Sequence, residues 1–198
     1  LVHGYLSGSY AVEERVWPVR AMLDRGYDVV FATLPPPTTF PSSDPVVTIE
    51  GTRQAIHDLR ALLLFLKEHA HAKHVGAMGM SLGGYIVALL ATIEPSLAFA
   101  VPVIPLADLS DFADGRFSSA LRQRRDYRSI SPFTRRSLVP GASVRVIGAE
   151  ADAIAPITHA RALALHFGSP LETFAGGHIL QVGRAAAFRR VLDDILND

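Results

Sequence analysis

The 198-residue chain has no cysteine and a single tryptophan, and its 19 basic side chains are matched by 19 acidic ones. Without cysteine there is no disulfide framework, no zinc–thiolate site and no cysteine nucleophile. That composition fits a reducing compartment, and a cytoplasmic location is the expectation. Zero formal charge removes the global field that would draw nucleic acid or an anionic membrane, so partners have to be sought at local sites. Long apolar runs are lacking too. "ALLLFLKEHA" and "YIVALLATIEP" are each interrupted by charge or proline well short of the eighteen or so residues of a membrane helix, so no membrane span is expected. The opening "LVHGYLSGSY" carries neither an initiating methionine nor a signal peptide, and we expect sequence to be missing before it.

What is present is apolar. With 49% hydrophobic residues the chain can bury one sizeable core, and its length points to one domain. Short apolar runs alternate with longer helical patterns, which predicts an α/β fold with a mostly parallel central sheet and helices on both faces. Strands are expected at "LVHG", "YDVVFATL", "HVGAMGM", "FAVPVIPL", "ASVRVIGA" and "LETFA". Helices are expected at "VEERVWPVRAMLDRG", with Val12, Val16, Val19, Met22 and Leu23 apolar, Pro18 bending it and Gly26 stopping it. Further helices are expected at "TIEGTRQAIHDLRALLLFLKEHA" (Ile56, Leu59, Leu63 and Leu66 on one face), "LGGYIVALLATIEP", "ITHARALALHFG" and "ILQVGRAAAFRRVLDDILND". Five prolines within "PPPTTFPSSDP" forbid regular structure there.

The stretch "GAMGMSLGGYIVALL" puts Ser81 where a buried strand hands over to a helix, with Gly79 and Gly83 two residues to either side and Gly84 beyond. In such a G-x-S-x-G turn the glycines lack the Cβ atoms that would collide, and the hydroxyl is lifted above the sheet. The following helix start supplies free backbone N–H groups and the positive end of a dipole, suited to a developing oxyanion. Ser81 therefore reads as a nucleophile.

A serine hydroxyl needs a base. Of eight histidines, His178 stands apart in a loop after Gly176 and Gly177, between a short strand and the last helix. His57, His159 and His166 fall within helical patterns as surface or interface residues. His69, His71 and His74 sit at the end of a long helix with no carboxylate among them, and no metal is assigned there. The base needs an orienting carboxylate, and "VRVIGAEADAIAP" leaves Glu150 and Asp152 in a loop at the carboxyl edge of the sheet. Asp152 is the choice, because the apolar residues after it fix the loop. The competing structural role for Asp152 is to cap the helix opening at Pro156.

Ser81 in "GMSLGG", Asp152 in "AEADAIAP" and His178 in "AGGH" follow the serine, acid, histidine order of the α/β-hydrolase superfamily, which the sequence resembles over essentially its whole length. The resemblance implies the α/β-hydrolase fold, acyl transfer through a covalent serine ester, and a small ester or acyl substrate, with no metal and no organic cofactor. "LVHGY" resembles the strand and turn that complete the oxyanion hole, so Tyr5 and Leu82 would donate its two backbone N–H groups, with His3 a structural residue beside the turn. Two departures stand out: strands normally preceding the "HG" turn are absent, and "ATLPPPTTFPSSD" joins its strand to the next element without the family's longer substrate-side loop, so residues are expected to be missing near Pro35 to Pro41. A thioesterase, peptidase or acyltransferase would use the same residues, and a non-catalytic binding protein could retain the fold. Association into a homo-oligomer is open.

Between about 107 and 140 the α/β alternation is interrupted where the family inserts a cap. The segment from Asp111 to Arg136 holds seven arginines and three aspartates. These either attract an anionic substrate or form a solvated face with internal pairs, the second being the simpler reading. Phe112, Phe117, Tyr127 and Phe133 either line an acyl pocket or pack the cap.

Overall fold

In the computed structural model, residues 1–5, 7–35, 41–111 and 120–197 are described. Four strands, β1 (Ala77–Met80), β2 (Ala100–Val103), β3 (Val146–Ala149) and β4 (Leu171–Phe174), form a parallel sheet in sequence order. Val2 extends it by single parallel bridges, to Gly79 of β1 on one side and to Ala32 on the other. The expected strands at "LVHG" and "YDVVFATL" are thus reduced to one bridging residue each. The period-two pattern of the second survives as packing, since Tyr27, Val29 and Phe31 lie against the core while Val30 faces solvent.

Alternate strand residues face opposite layers, as a pleated sheet requires. Ala77, Ala100 and Val146 meet α3 (Pro45–Glu68), α4 (Leu82–Ala91) and α5 (Ile157–Phe167) on one face. Met78, Met80, Val101, Val103, Ile147 and Ala149 meet Trp17, Met22 and the apolar side of α6 (Arg184–Asn197) on the other. Every residue of α4 is buried, which is why that segment reads as apolar all round. Asp44 caps α3, accepting from the Val46 N–H at 2.8 Å, and Pro45 occupies its first position. Ile56, Leu59 and Leu63 are buried as the helical spacing predicts, and Leu66 is half-buried.

Two helices differ from expectation. The pattern over 12–26 is broken into α1 (Tyr10–Val16) and α2 (Val19–Leu23), because the residue before Pro18 is forced extended. Val12 and Leu23 point to solvent, while Glu13 is buried at 4% exposure. The last helix begins at Arg184, so 179–183 belong to the loop after His178.

The expected cap region contains short 3-10 turns at Leu109–Asp111, Arg125–Ser129 and Pro132–Thr134, and a further one follows at Gly141–Ser143. A buried carboxylate fixes part of it to the end of β2: Asp108 accepts from the Ser110 N–H (2.9 Å), the Ser131 hydroxyl (2.6 Å) and the Tyr127 hydroxyl. Burial, reinforced by that carboxylate, pushes the Tyr127 phenol up to about 12. Tyr85 of α4 donates its hydroxyl to the Ile130 carbonyl, and burial raises its pKa well above the ordinary phenol value. Arg124 pairs with Asp126 at 3.1 Å, an internal pairing of the kind expected for a solvated face. Tyr127 therefore packs and bonds within this region, and the Phe133 ring meets that of His166 at 5.1 Å. Phe112 and Phe117, like most of the segment from Pro35 to Pro41, lie outside the described residues. Among the described residues no helix is long and apolar enough to cross a membrane.

Candidate active site

The Ser81 turn is built by close approach. A Cβ on Gly79 would lie 2.1 Å from the Gly83 carbonyl oxygen, and one on Gly83 would lie 2.3 Å from that of Val2. Both obstacles are backbone, so only glycine lets β1, α4 and the 1–4 segment converge. Gly83→Ala is expected to cost about 2 to 3 kcal/mol, the scale of overpacking a tight core. Urea unfolding measures it, and a midpoint equal to wild type would contradict the contact.

Ser81 itself adopts φ 56° and ψ −113°, outside the regions a non-glycine residue favours. Its N–H donates to the Val103 carbonyl at 2.9 Å and its carbonyl accepts from Tyr85 N–H at 3.0 Å, so the strained turn is held by both β2 and α4. Leu82 opens α4 directly after it, where a helix leaves its first N–H groups without intrahelical acceptors.

The three side chains expected from the sequence come together. The Ser81 hydroxyl lies 2.9 Å from His178 Nε2, and His178 Nδ1 lies 2.7 Å from Asp152 Oδ2. The Asp152 side chain is fully buried and that of His178 is 15% exposed. The other carboxylate oxygen of Asp152 accepts from the N–H groups of Ile154 and Ala155, each at 2.8 Å. Asp152 thus holds its own loop as well as the imidazole. It does not cap α5, whose first turn follows Pro156. Glu150 points elsewhere and accepts from the Thr173 hydroxyl at 3.0 Å.

The loops bearing acid and imidazole are joined by backbone: Glu150 N–H donates to the Phe174 carbonyl (2.9 Å) and Ala151 N–H to the Gly176 carbonyl (3.2 Å). A Cβ on Gly177 would come within 2.9 Å of the Ala151 carbonyl oxygen and one on Gly176 within 2.3 Å of Val182 N, which accounts for the glycine pair before His178. Gln181 donates to the His178 carbonyl at 2.7 Å and closes the loop.

Tyr5 lies in a turn, and the preceding Gly4 abuts the serine, since a Cβ on it would be 3.4 Å from Ser81 Cβ. His3 is buried; its Nε2 accepts from Leu34 N–H at 2.9 Å, which leaves the proton on Nδ1, 2.7 Å from the Gly4 carbonyl. Both ring nitrogens are used by backbone, as a structural residue beside the turn requires. Sequence reasoning passed over Glu13, the buried acid behind this turn; an acidic residue among the apolar positions of a short helix gave no sign of burial. His69, His71 and His74 fall past the end of α3, and among the described residues no three metal-binding side chains converge.

No protein-family model matches the chain. Over 156 residues, 73% of its length, the chain is 31% identical to the uncharacterized protein Rv2627c of Mycobacterium tuberculosis strain H37Rv, and it spans 38% of that relative's length. Among solved structures it is similar to Est1E from Butyrivibrio proteoclasticus, with a TM-score of 0.68 at 14% identity over 99% of this chain and 85% of that one. It is likewise similar to the Pyrococcus furiosus esterase Pf2001, with a TM-score of 0.68 at 16% identity over 99% of this chain and 78% of that one. Sheet order, elbow and these likenesses agree: the chain has the α/β-hydrolase fold.

Proposed function

We propose that the protein is a serine hydrolase that cleaves a carboxylic ester through an acyl-enzyme intermediate. The observation that carries this reading is the unbroken hydrogen-bonded line from Ser81 through His178 to Asp152, starting at a strained elbow that opens a buried helix. His178 Nε2 takes the hydroxyl proton as Ser81 Oγ attacks the ester carbonyl carbon. Asp152 keeps the imidazole in the required orientation and stabilises its cationic form. The carbonyl oxygen gains the electron pair and is held by the Leu82 and Tyr5 N–H groups. Collapse expels the alcohol, which takes the proton from His178. Water then attacks the acyl carbon while His178 accepts its proton, and the acid departs as the proton returns to Ser81.

The likeness to an esterase supports hydrolysis. Apolar surface on the same loops favours an ester with carbon-rich substituents: Ile154 follows Asp152, Ile179 and Leu180 follow His178, and all three are exposed. A fluorophosphonate probe is expected to label Ser81 in the wild-type protein and to leave the Ser81→Ala protein unmarked by mass spectrometry. Labelling at another residue, or none, would overturn the reading. Activated esters, thioesters and anilides of one acyl group, assayed side by side, identify the preferred leaving group.

A further inference from the structure

The turn that carries Tyr5 is braced from behind by a buried carboxylate outside the triad. Glu13, within α1, is 4% exposed. Its Oε1 accepts from the Gly8 N–H at 3.0 Å and its Oε2 from the Trp17 indole N–H at 3.0 Å. Trp17 is itself buried and packs on Phe188 of α6, with ring centroids 5.8 Å apart. The carboxylate therefore links Gly8 to the layer beneath the sheet.

The opposite end of the turn is equally constrained. Gly4 is tied by its carbonyl to the His3 ring and to Ser7, and it abuts Ser81. Gly8 has φ +108°, and a Cβ there would fall 2.7 Å from His3 Nε2, so the chain passes flat against the imidazole. Gly8 therefore sits at a positive φ that glycine tolerates, with its N–H bonded to Glu13. Gly8 rests on the His3 ring, and His3 Nδ1 holds the carbonyl of the Gly4–Tyr5 peptide, so a bond to Gly8 N–H braces the peptide that carries the Tyr5 N–H.

We infer that Glu13 is a positioning residue for the oxyanion hole: by fixing Gly8 it holds the Tyr5 N–H where the oxygen of the tetrahedral intermediate develops. This rests on the serine-ester reading above. A displacement of the donor of about 1 Å would cost rate on the order of 10²-fold, because such a group acts on the transition state and contributes little to the bound ester.

The test measures kcat and KM for an activated ester on enzyme normalised by folded active-site content, together with the affinity of a boronic-acid transition-state analogue. Glu13→Ala is expected to lower kcat about 10²-fold, to leave KM within about threefold, and to weaken the boronate in proportion to kcat. In Glu13→Gln the amide keeps one acceptor and turns a donor against either Gly8 or Trp17, so kcat falls as well. Adding Trp17→Phe removes the competing donor and lets the amide oxygen serve Gly8. The double variant is expected to recover most of the lost kcat although its melting temperature drops further. A purely structural Glu13 would lower the melting temperature and leave kcat per folded molecule and boronate affinity unchanged, which would overturn the inference. Loss of kcat in Glu13→Gln without recovery in the double variant would overturn it too. If wild type and Ser81→Ala turn over ester equally, the serine-ester reading falls and this inference with it. If Ser81→Ala is inert while Glu13→Ala matches wild type, only the role of Glu13 falls.

Discussion

Ser81→Ala is expected to reduce kcat for a short activated ester by a factor on the order of 10⁶, and His178→Ala by a similar factor. In the proposed mechanism the two side chains perform one event: the proton leaves Oγ for Nε2, 2.9 Å away, as the carbon–oxygen bond forms. Removing either ends that event, and the double variant should be scarcely slower than the single ones. The measurement is steady-state hydrolysis on protein whose folding is checked by circular dichroism. A folded Ser81→Ala protein with wild-type kcat would refute the assignment.

Asp152→Asn is expected to lower kcat by a factor on the order of 10⁴ while leaving the fold in place. The reason lies in the loop. Two backbone N–H groups, from Ile154 and Ala155, point at one oxygen of Asp152. In the variant they hold the amide oxygen and turn its NH₂ toward His178 Nδ1. That nitrogen must then accept, its proton moves to Nε2, and the imidazole presents a donor where Ser81 needs a base. The local hydrogen bonds survive, so melting temperature and activity separate. Equal falls in stability and rate, or a rate within tenfold of wild type, would contradict this account.

Much of the architecture was legible because its causes are local. Gly79 and Gly83 flank a serine because nothing larger fits between β1, α4 and the first segment, and that steric demand is written into neighbouring letters. The apolar period of α3 and the continuous apolarity of α4 report burial on one side and on all sides. Asp152 and His178 were singled out by a rule of chemistry, that a nucleophile needs a base and the base an acid, applied to loops at one sheet edge, and their side chains meet there beside Ser81. What escaped is non-local. The β-branched residues of 27–34 report packing against the core, and a single bridge at Ala32 satisfies them as well as a ladder would. Val12 looked like the inward residue of α1, yet Glu13 faces in because Gly8 and Trp17 supply N–H groups from outside its own turn. Asp108 escaped for the same reason, its partners lying at Ser110, Tyr127 and Ser131.

The backbone stitching between residues 150–151 and 174–176 has a wider meaning. The loops of Asp152 and His178 are thereby joined into one clip, while Ser81 is mounted separately between β1 and α4. Lengthening either loop by a residue would swing both partners off target at once, whereas transplanting the two together into a sheet of the same twist would carry their mutual alignment along. Redesign of this rim should therefore treat the pair as one inheritable part and spend its variation on the elements around it.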